Sequence, residues 1–471
     1  LTQLDNRATD GYVRGGVHHY DEQGRFLDTI TYNYRIDFEQ QKTFDKNLRE
    51  KLIAEGRTDV HGNPITETSW IDVNSLSPED LSIDLFSADD LWNNGNSFIS
   101  YYGYDYLGNR DRNRPSLAEF LYNKQDRKVG SYAPVYSSAW LQDKFAFKDL
   151  IFRVGVRVEY FDANQLVLAD PYSLFPLQTA AEVSELQGQE VSHPSNIGED
   201  YVVYVNNTEN PSKIVGYRKD NVWYDADGIK VSTPDLIAQE TSSGRIQPML
   251  VNPEEQEIVK ESFKDYAPQV NVLPRVWFSF PINTEAQFFA NYDVLAQRPS
   301  NVFTPITTYF FLEDRQGGTI ANGSLKPRIR TAYELGFKQK LSDNSALSLI
   351  ASYSETKNDF GLIRLYHAYP VTYNHTANID FSTVKSFRAE YEIRGLGRLS
   401  LQANYSLLFA DGTGSNVNSA AALLAANQPN LRSLYPLDLD VRHKIVTVID
   451  YRFRNGSQYS GPIWFGKKIF E

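Results

Sequence analysis

Stretches in which apolar and polar residues alternate one for one recur down this chain, and no other feature restricts its folding as severely. A β-strand turns successive side chains to opposite faces, so this alternation is satisfied by a sheet whose two faces meet different surroundings. Ile30, Tyr32, Tyr34, Ile36 and Phe38 oppose Thr29, Thr31, Asn33, Arg35 and Asp37. Phe152, Val154, Val156, Val158 and Tyr160 oppose Arg153, Gly155, Arg157 and Glu159, and Tyr333, Leu335 and Phe337 oppose Glu334, Gly336 and Lys338. Phe387, Ala389, Tyr391 and Ile393 oppose Arg388, Glu390, Glu392 and Arg394, while Leu399, Leu401, Ala403, Tyr405 and Leu407 oppose Ser400, Gln402, Asn404 and Ser406. Strands of about 10–14 residues result, enough to cross a bilayer at the usual tilt and longer than the soluble mode of about 5–6.

The connections have a rhythm of their own. From about residue 134 onward short turns alternate with long loops: Lys148-Asp149, Pro281 to Thr284, Ser342 to Ser345 and Gly395 to Arg398 against 163–269, 297–329, 357–381 and 411–439. Tight turns on one side of a membrane and large loops on the other are the habit of outer-membrane barrels. A helical membrane protein is excluded, because the uncharged stretch Gly412 to Leu431 is broken by Asn416, Asn418, Asn427 and Pro429. The expected fold is all-β: a partial antiparallel transmembrane β-barrel with long extracellular loops, with Val156, Leu335, Tyr391, Tyr405 and Tyr32 toward lipid and Arg157, Glu334, Glu390, Asn404 and Arg35 toward the lumen.

Composition narrows the surroundings. Thirty Tyr accompany 27 Phe and 6 Trp, and Tyr and Trp favour a water–lipid boundary. Cys is absent, which removes disulfides, thiolate metal sites and cysteine nucleophiles together. The net charge of −12 argues against nucleic acid as a partner, since phosphate binding needs clustered Lys and Arg.

Two regions are expected: 1–133, holding N-terminal barrel strands with a large, partly helical insertion, and 134–471, holding the barrel hairpins. Within the first, Asp45 to Gly56 reads as a helix with Leu48, Leu52 and Ile53 on one side. Ser87 and Gly95 read as the N-cap and C′ residue of another, and Phe98 to Tyr106 as a strand. Within the second, 164–264 is expected to be an extracellular loop subdomain, with strand-like pieces at Tyr201–Val205, Lys213–Arg218 and Val222–Tyr224 and a hairpin signal at Asp227-Gly228. Tyr217 and Trp223, aromatic among polar neighbours, are its candidate substrate-binding residues.

No catalytic residue or metal ligand is assigned, and no cofactor is expected. Arg153, Arg157, Glu159, Arg388, Glu390, Glu392 and Arg394 read as a polar lumen wall. The adjacent His18-His19 lacks the i, i+4 spacing of a helical zinc site. Gly461 to Lys468 has the glycine spacing of a phosphate loop but ends on Lys468, and Trp464 and Phe465 would obstruct phosphate. Asp411-Gly412-Thr413-Gly414 reads as a polar loop in preference to a calcium site.

Several segments resemble those of TonB-dependent receptors. Ala139-Trp140-Leu141-Gln142-Asp143-Lys144, followed by Phe152-Arg153-Val154-Gly155-Val156-Arg157, is similar to the family's Tyr-x-Gln-Asp strand and the Gly-x-Arg strand after it. Leu273 to Phe280 with Phe289-Ala290-Asn291-Tyr292 resembles its Pro-Arg strand and partner. Asn322-Gly323-Ser324-Leu325-Lys326-Pro327 with Ala332-Tyr333-Glu334-Leu335-Gly336 is similar to the Asn-x-x-Leu-Lys-Pro-Glu…Tyr-Glu-x-Gly motif, Arg328 standing where Glu is usual. Asp440-Val441-Arg442-His443 resembles the Asp-x-Arg-His before a late strand. The resemblance spans roughly residues 134–453. It implies a piece of a 22-stranded plugged barrel, of which about 11 or 12 strands are present. The plug, its TonB box, the last strands and the N-terminal carboxypeptidase-regulatory-like domain of some large members are expected to lie outside this sequence. It further implies a Gram-negative outer membrane and its lipid, import of a bulky extracellular cargo, a TonB-type energy-coupling protein acting through the plug, and a surface lipoprotein as a further partner. The competing expectation is a passive outer-membrane barrel serving as an adhesin.

Overall fold

In the computed structural model nine long strands follow one another as an antiparallel meander: β1 (Val135–Phe147), β2 (Leu150–Asp162), β3 (Gln269–Pro281), β4 (Ala286–Gln297), β5 (Arg328–Ser342), β6 (Ser345–Leu365), β7 (Tyr373–Leu396), β8 (Leu399–Gly412) and β9 (His443–Tyr451). Each pairs with its neighbours in sequence. Gly318–Ile320 and Tyr435–Pro436 add short segments, making eleven strands in the sheet. The structure describes residues 4, 13–21, 23–33, 41–113, 115–299, 302–426, 428, 430 and 432–469.

Register fixes the faces, because residues directly opposite each other in a ladder share one. Val156 stands opposite Pro274, Val276 opposite Tyr292, Tyr292 opposite Tyr333, Leu335 opposite Ala351, Leu347 opposite Tyr391 and Ala389 opposite Tyr405. All lie on one apolar face, and large side chains on it are open: Leu335 is 54% exposed and Ile445 74%. On the other face Arg157 stands opposite Trp140, Arg275 opposite Asp293, Asn291 opposite Glu334 and Glu390 opposite Asn404. Val156, Leu335, Tyr391 and Tyr405 are thus separated from Arg157, Glu334, Glu390 and Asn404 as the alternation requires. Arg35 lies outside the described residues, and of Tyr32 only the backbone is described.

The turns at Lys148-Asp149, after Pro281, after Ser342 and at Gly397-Arg398 are tight. The expected long loop over 357–381 is instead a continuation of β6 and β7 to Leu365 and Tyr373. Asn358-Asp359 has turn chemistry, and Asn358 does adopt φ +56°, but the ladder absorbs it as an irregularity between Thr356 and Phe360 and then resumes.

The chain divides into two compact units: 133–253, 263–304 and 317–471, which hold the sheet, and 1–132, 254–262 and 305–316. In the latter unit Val13–Tyr20 and Phe26–Asn33 form a hairpin that pairs with no other described strand. Helix α1 (Thr43–Ala54) buries Phe44, Leu48 and Leu52, whereas Ile53, expected on that face, is 39% exposed. Ser87 caps α2 (Ala88–Trp92) through the amide of Asp90, but the left-handed residue directly after the helix is Asn93; Gly95 belongs to the 3-10 turn that follows.

Phe98 to Tyr106 is not a strand. Tyr101 turns inward beside Trp92, whose Nε1 donates to the Tyr101 hydroxyl at 2.9 Å, and both pack with Phe120 of α3 (Leu117–Tyr122) and with Phe311. Packing into this aromatic core overrides the local strand preference.

Candidate functional site

Beyond the ends of β2 and β3, residues 166–168 pair with 263–265 and close the neck of the longest loop. Within it Val202–Val205, Ile214–Lys219 and Val222–Asp225 form a three-stranded antiparallel sheet. At the Asp227-Gly228 turn, Gly228 takes φ +79° while the Asp225 carboxylate accepts from the amides of Asp227 and Ile229.

Arg218 organises this subdomain, although nothing in its sequence surroundings singles it out. It is 2% exposed, yet its Nη2 donates to Asp170 Oδ2 at 2.6 Å, its Nε to the Tyr204 hydroxyl at 2.8 Å and its Nη1 to the Asp220 carbonyl at 2.8 Å. The guanidinium also lies 4.6 Å from the Tyr172 ring centre and 5.5 Å from that of Trp223. Burial alone would lower its pKa, but Tyr204 and Asp170 hold it above the ordinary arginine value. The cation is thus fully partnered.

The candidates Tyr217 and Trp223 are 2% and 5% exposed, which corrects their expected place at a surface. Opposite Arg218 across the strand pair, Trp223 packs against Tyr172, Tyr204 and His367. Tyr217 sits in a second cluster with Val183, Val203 and Val205. Its hydroxyl, pushed up to about 12 by burial, lies 3.0 Å from His193 Nδ1. His193 Nε2 is 2.8 Å from the Val183 carbonyl and must donate to it, so Nδ1 accepts from Tyr217. Both aromatic residues are packed into the two hydrophobic clusters of the subdomain.

A latch joins the subdomain to the tip of the β6–β7 hairpin. The Tyr369 amide donates to the Tyr172 carbonyl (2.9 Å), the Leu174 amide to the Tyr369 carbonyl (3.0 Å), and the Tyr373 hydroxyl to the Pro171 carbonyl (2.6 Å). The Asn322–Pro327 stretch ties a third loop to β7. Asn322 Nδ2 donates to the Thr376 carbonyl at 2.9 Å, while Asn378 accepts from the Lys326 amide (2.9 Å) and donates to the Lys326 carbonyl (2.8 Å). Arg328 finds Asp359 at 3.1 Å. Asp359 therefore supplies the opposite charge at the point where this sequence departs from the Glu of the motif it resembles.

On the polar face the charges satisfy one another. Arg157 meets Glu159 at 2.7 Å and also donates to Tyr136 and Ser138, Arg388 lies 3.4 Å from Glu390 and 3.9 Å from Glu334, and Arg394 pairs with Glu392. Arg153 lies 5.0 Å from the Trp277 ring centre. Such mutual pairing describes a wall. Among the described residues no three His, Asp or Glu are grouped as a metal site would require.

No protein-family model matches the sequence, and no curated protein does. Among solved structures, the FrpB iron transporter from Neisseria meningitidis (F3-3 variant) aligns at 10% identity and TM-score 0.30, over 59% of this chain and 26% of its own. The outer membrane transporter YddB from Escherichia coli aligns at 13% and 0.33, over 69% and 41%. The Serratia marcescens hemophore receptor HasR, solved with its hemophore HasA and heme, aligns at 10% and 0.35, over 68% and 40%. The chain spans less than half the length of each.

Proposed function

We propose that this chain is the greater part of one side of the barrel of a TonB-dependent receptor, an outer-membrane importer that captures a bulky extracellular cargo and passes it through a plugged lumen at the expense of energy from the inner membrane. The observation that carries the reading is the sheet with an open apolar face of Val, Leu, Ile, Tyr and Phe backed by a wall of paired charges. An apolar patch of that extent in water marks an interaction surface, and lipid on one side with a wet lumen on the other satisfies both faces. The outer edges of β1 and β9 have no partner strand among the described residues. Backbone groups left unpaired in lipid cost several kcal/mol each, so further strands of the full-length protein close the barrel.

This chain contributes no Cys of its own to a labelling test. Single cysteines placed at Glu334 and Leu335 in the full-length protein, reconstituted in vesicles, should respond oppositely: the first to a water-soluble thiol reagent, the second to a lipid-soluble one. Equal labelling of both would sink the membrane reading. Energised import is tested separately, by loss of cargo uptake but not of cargo binding when the energy-coupling protein is deleted.

A passive adhesin is the second reading, favoured by a loop subdomain that has hydrophobic clusters of its own. It predicts that ligand binding is the whole activity and that removing the coupling protein changes nothing.

A further inference from the structure

On the long-loop side of the sheet, β6, β7 and the chain leaving β8 line a cavity of about 170 Å³, part of it aliphatic through Leu362, Val417 and Leu423. Asp380, Thr413, Asn416, Ser419 and Tyr435 contribute to its lining. The site is built and not merely a gap. Thr413 Oγ1 donates to Asp380 Oδ1 at 2.8 Å and accepts from the Phe381 amide at 3.2 Å, while the Thr413 amide donates to the Phe381 carbonyl at 3.1 Å. The Leu362 amide donates to the Val417 carbonyl at 3.0 Å, fastening the far side of the loop to β6.

The Asp380 side chain is only 8% exposed. A carboxylate so enclosed needs compensation, and here it is compensated on one oxygen. Oδ1 has Thr413, with Arg432 Nε 4.0 Å away on a side chain that is 45% exposed. Oδ2 has no donor among the described residues. It lies between Gly361 and Gly414, where a methyl group on either would collide with it. The lack of a side chain at both positions is what lets the carboxylate take that place.

We infer that this cavity is a subsite for an organic cation, the primary ammonium or guanidinium group of an extracellular ligand, which would bind Asp380 Oδ2 and the neutral oxygens beside it. An anion is excluded by the buried carboxylate, and an apolar group would strand it. Calcium takes six to eight oxygen ligands and usually several carboxylates, whereas among the described residues Asp380 is the one carboxylate lining this cavity. The inference rests on the receptor reading only for the word extracellular; binding is measured without uptake, so either can fail alone.

The test uses the full-length protein in detergent, with n-butylammonium and methylguanidinium as probes, n-pentanol as the neutral control, and saturation-transfer NMR as the readout. The cations should bind and the alcohol should not. Asp380→Asn should weaken binding at least about tenfold. Gly361→Ala keeps the charge but fills the space at Oδ2, and should weaken it comparably. Arg432→Gln removes a competing cation and should tighten it. Variants are compared only where near-UV circular dichroism matches the parent. Unchanged binding in both Asp380→Asn and Gly361→Ala, equal binding of the alcohol, weaker binding in Arg432→Gln, or displacement of the probes by calcium at lower concentration than their own would each overturn the assignment.

Discussion

The broad sheet and the subdomain over 170–252 are both β-structure, but they solve opposite problems. In the sheet, large side chains such as Leu335 and Ile445 stand open and the ladder bonds set the form. In the subdomain Val203, Tyr204, Tyr217 and Trp223 are buried around a partnered arginine, as in a small soluble domain. Stability in the first comes from the backbone ladder and, on the proposed reading, from the bilayer; in the second it comes from packing. The two should therefore fail separately, and each experiment below probes that separation.

Removing residues 171–252 should have the largest effect. Leu166–Leu168 and Phe263–Asp265 still pair, and 254–262, which belongs to the helical unit, is spared. The shortened protein should reach the membrane at parental levels and lose most cargo uptake; normal uptake would remove the subdomain from recognition. Arg218→Ala comes next. Leaving Asp170 and Tyr204 without their cation should cost about 3–5 kcal/mol, seen as fast hydrogen exchange within 170–250 while the amides of β5 and β6 stay protected. Global unfolding would show that the two regions are one cooperative body.

On the sheet side, Leu335→Arg should cost about 2–4 kcal/mol near the bilayer midplane, and Asn404→Arg on the opposite face much less. Urea titration of folding into vesicles reads both, and similar losses would refute the assignment of faces. Smaller still is the Arg328–Asp359 pair, partly exposed on both sides. Arg328→Glu should cost no more than about 1 kcal/mol, and adding Asp359→Arg should recover it if the pairing is what holds the two strands there.

The smallest effect concerns pH. Burial lowers the pKa of His367 below the usual imidazole value, with Asp235 at 3.6 Å opposing. The ring is therefore neutral when folded, and its contribution is full above the ordinary value and lost as pH falls through the lowered one. The protection factors of the Tyr369 and Leu174 amides, with the intrinsic pH dependence of exchange divided out, should be lower at about pH 5 than at about pH 7, and His367→Phe should abolish that difference.

How much of this was readable in the sequence follows from the same contrast. Period-two alternation reports a sheet between unlike media, so the strands around Val156, Leu335, Tyr391 and Tyr405 and their faces were legible before any pairing was seen. It does not report packing. Tyr217 and Trp223 stand among polar neighbours in the sequence, but those neighbours are themselves partly buried, and the buried Arg218 between them carries no local signal of its burial. The expected loop over 357–381 erred in the other direction, since the ladder resumes past the irregularity at Asn358-Asp359. The enclosure of Asp380 on β7 depends on Gly361 of β6 and on Thr413-Gly414 just past β8 meeting around it, which no local pattern contains.

With 21 and 24 residues, β6 and β7 are far longer than a crossing requires. At about 3.3 Å per residue the hairpin measures roughly 70 Å, while a tilted strand spends only about 35 Å in a hydrocarbon band about 25 Å tall. On the proposed reading roughly half of it would be a mast standing clear of the lipid, with the latch to Tyr172 at its head. A mast converts angle into travel. A change of about 5° in its inclination where it leaves the bilayer would sweep the head by roughly 3 Å, about the length of a hydrogen bond, so small distortions of the barrel wall would reach the head as displacements large enough to break or make contacts with whatever is held there.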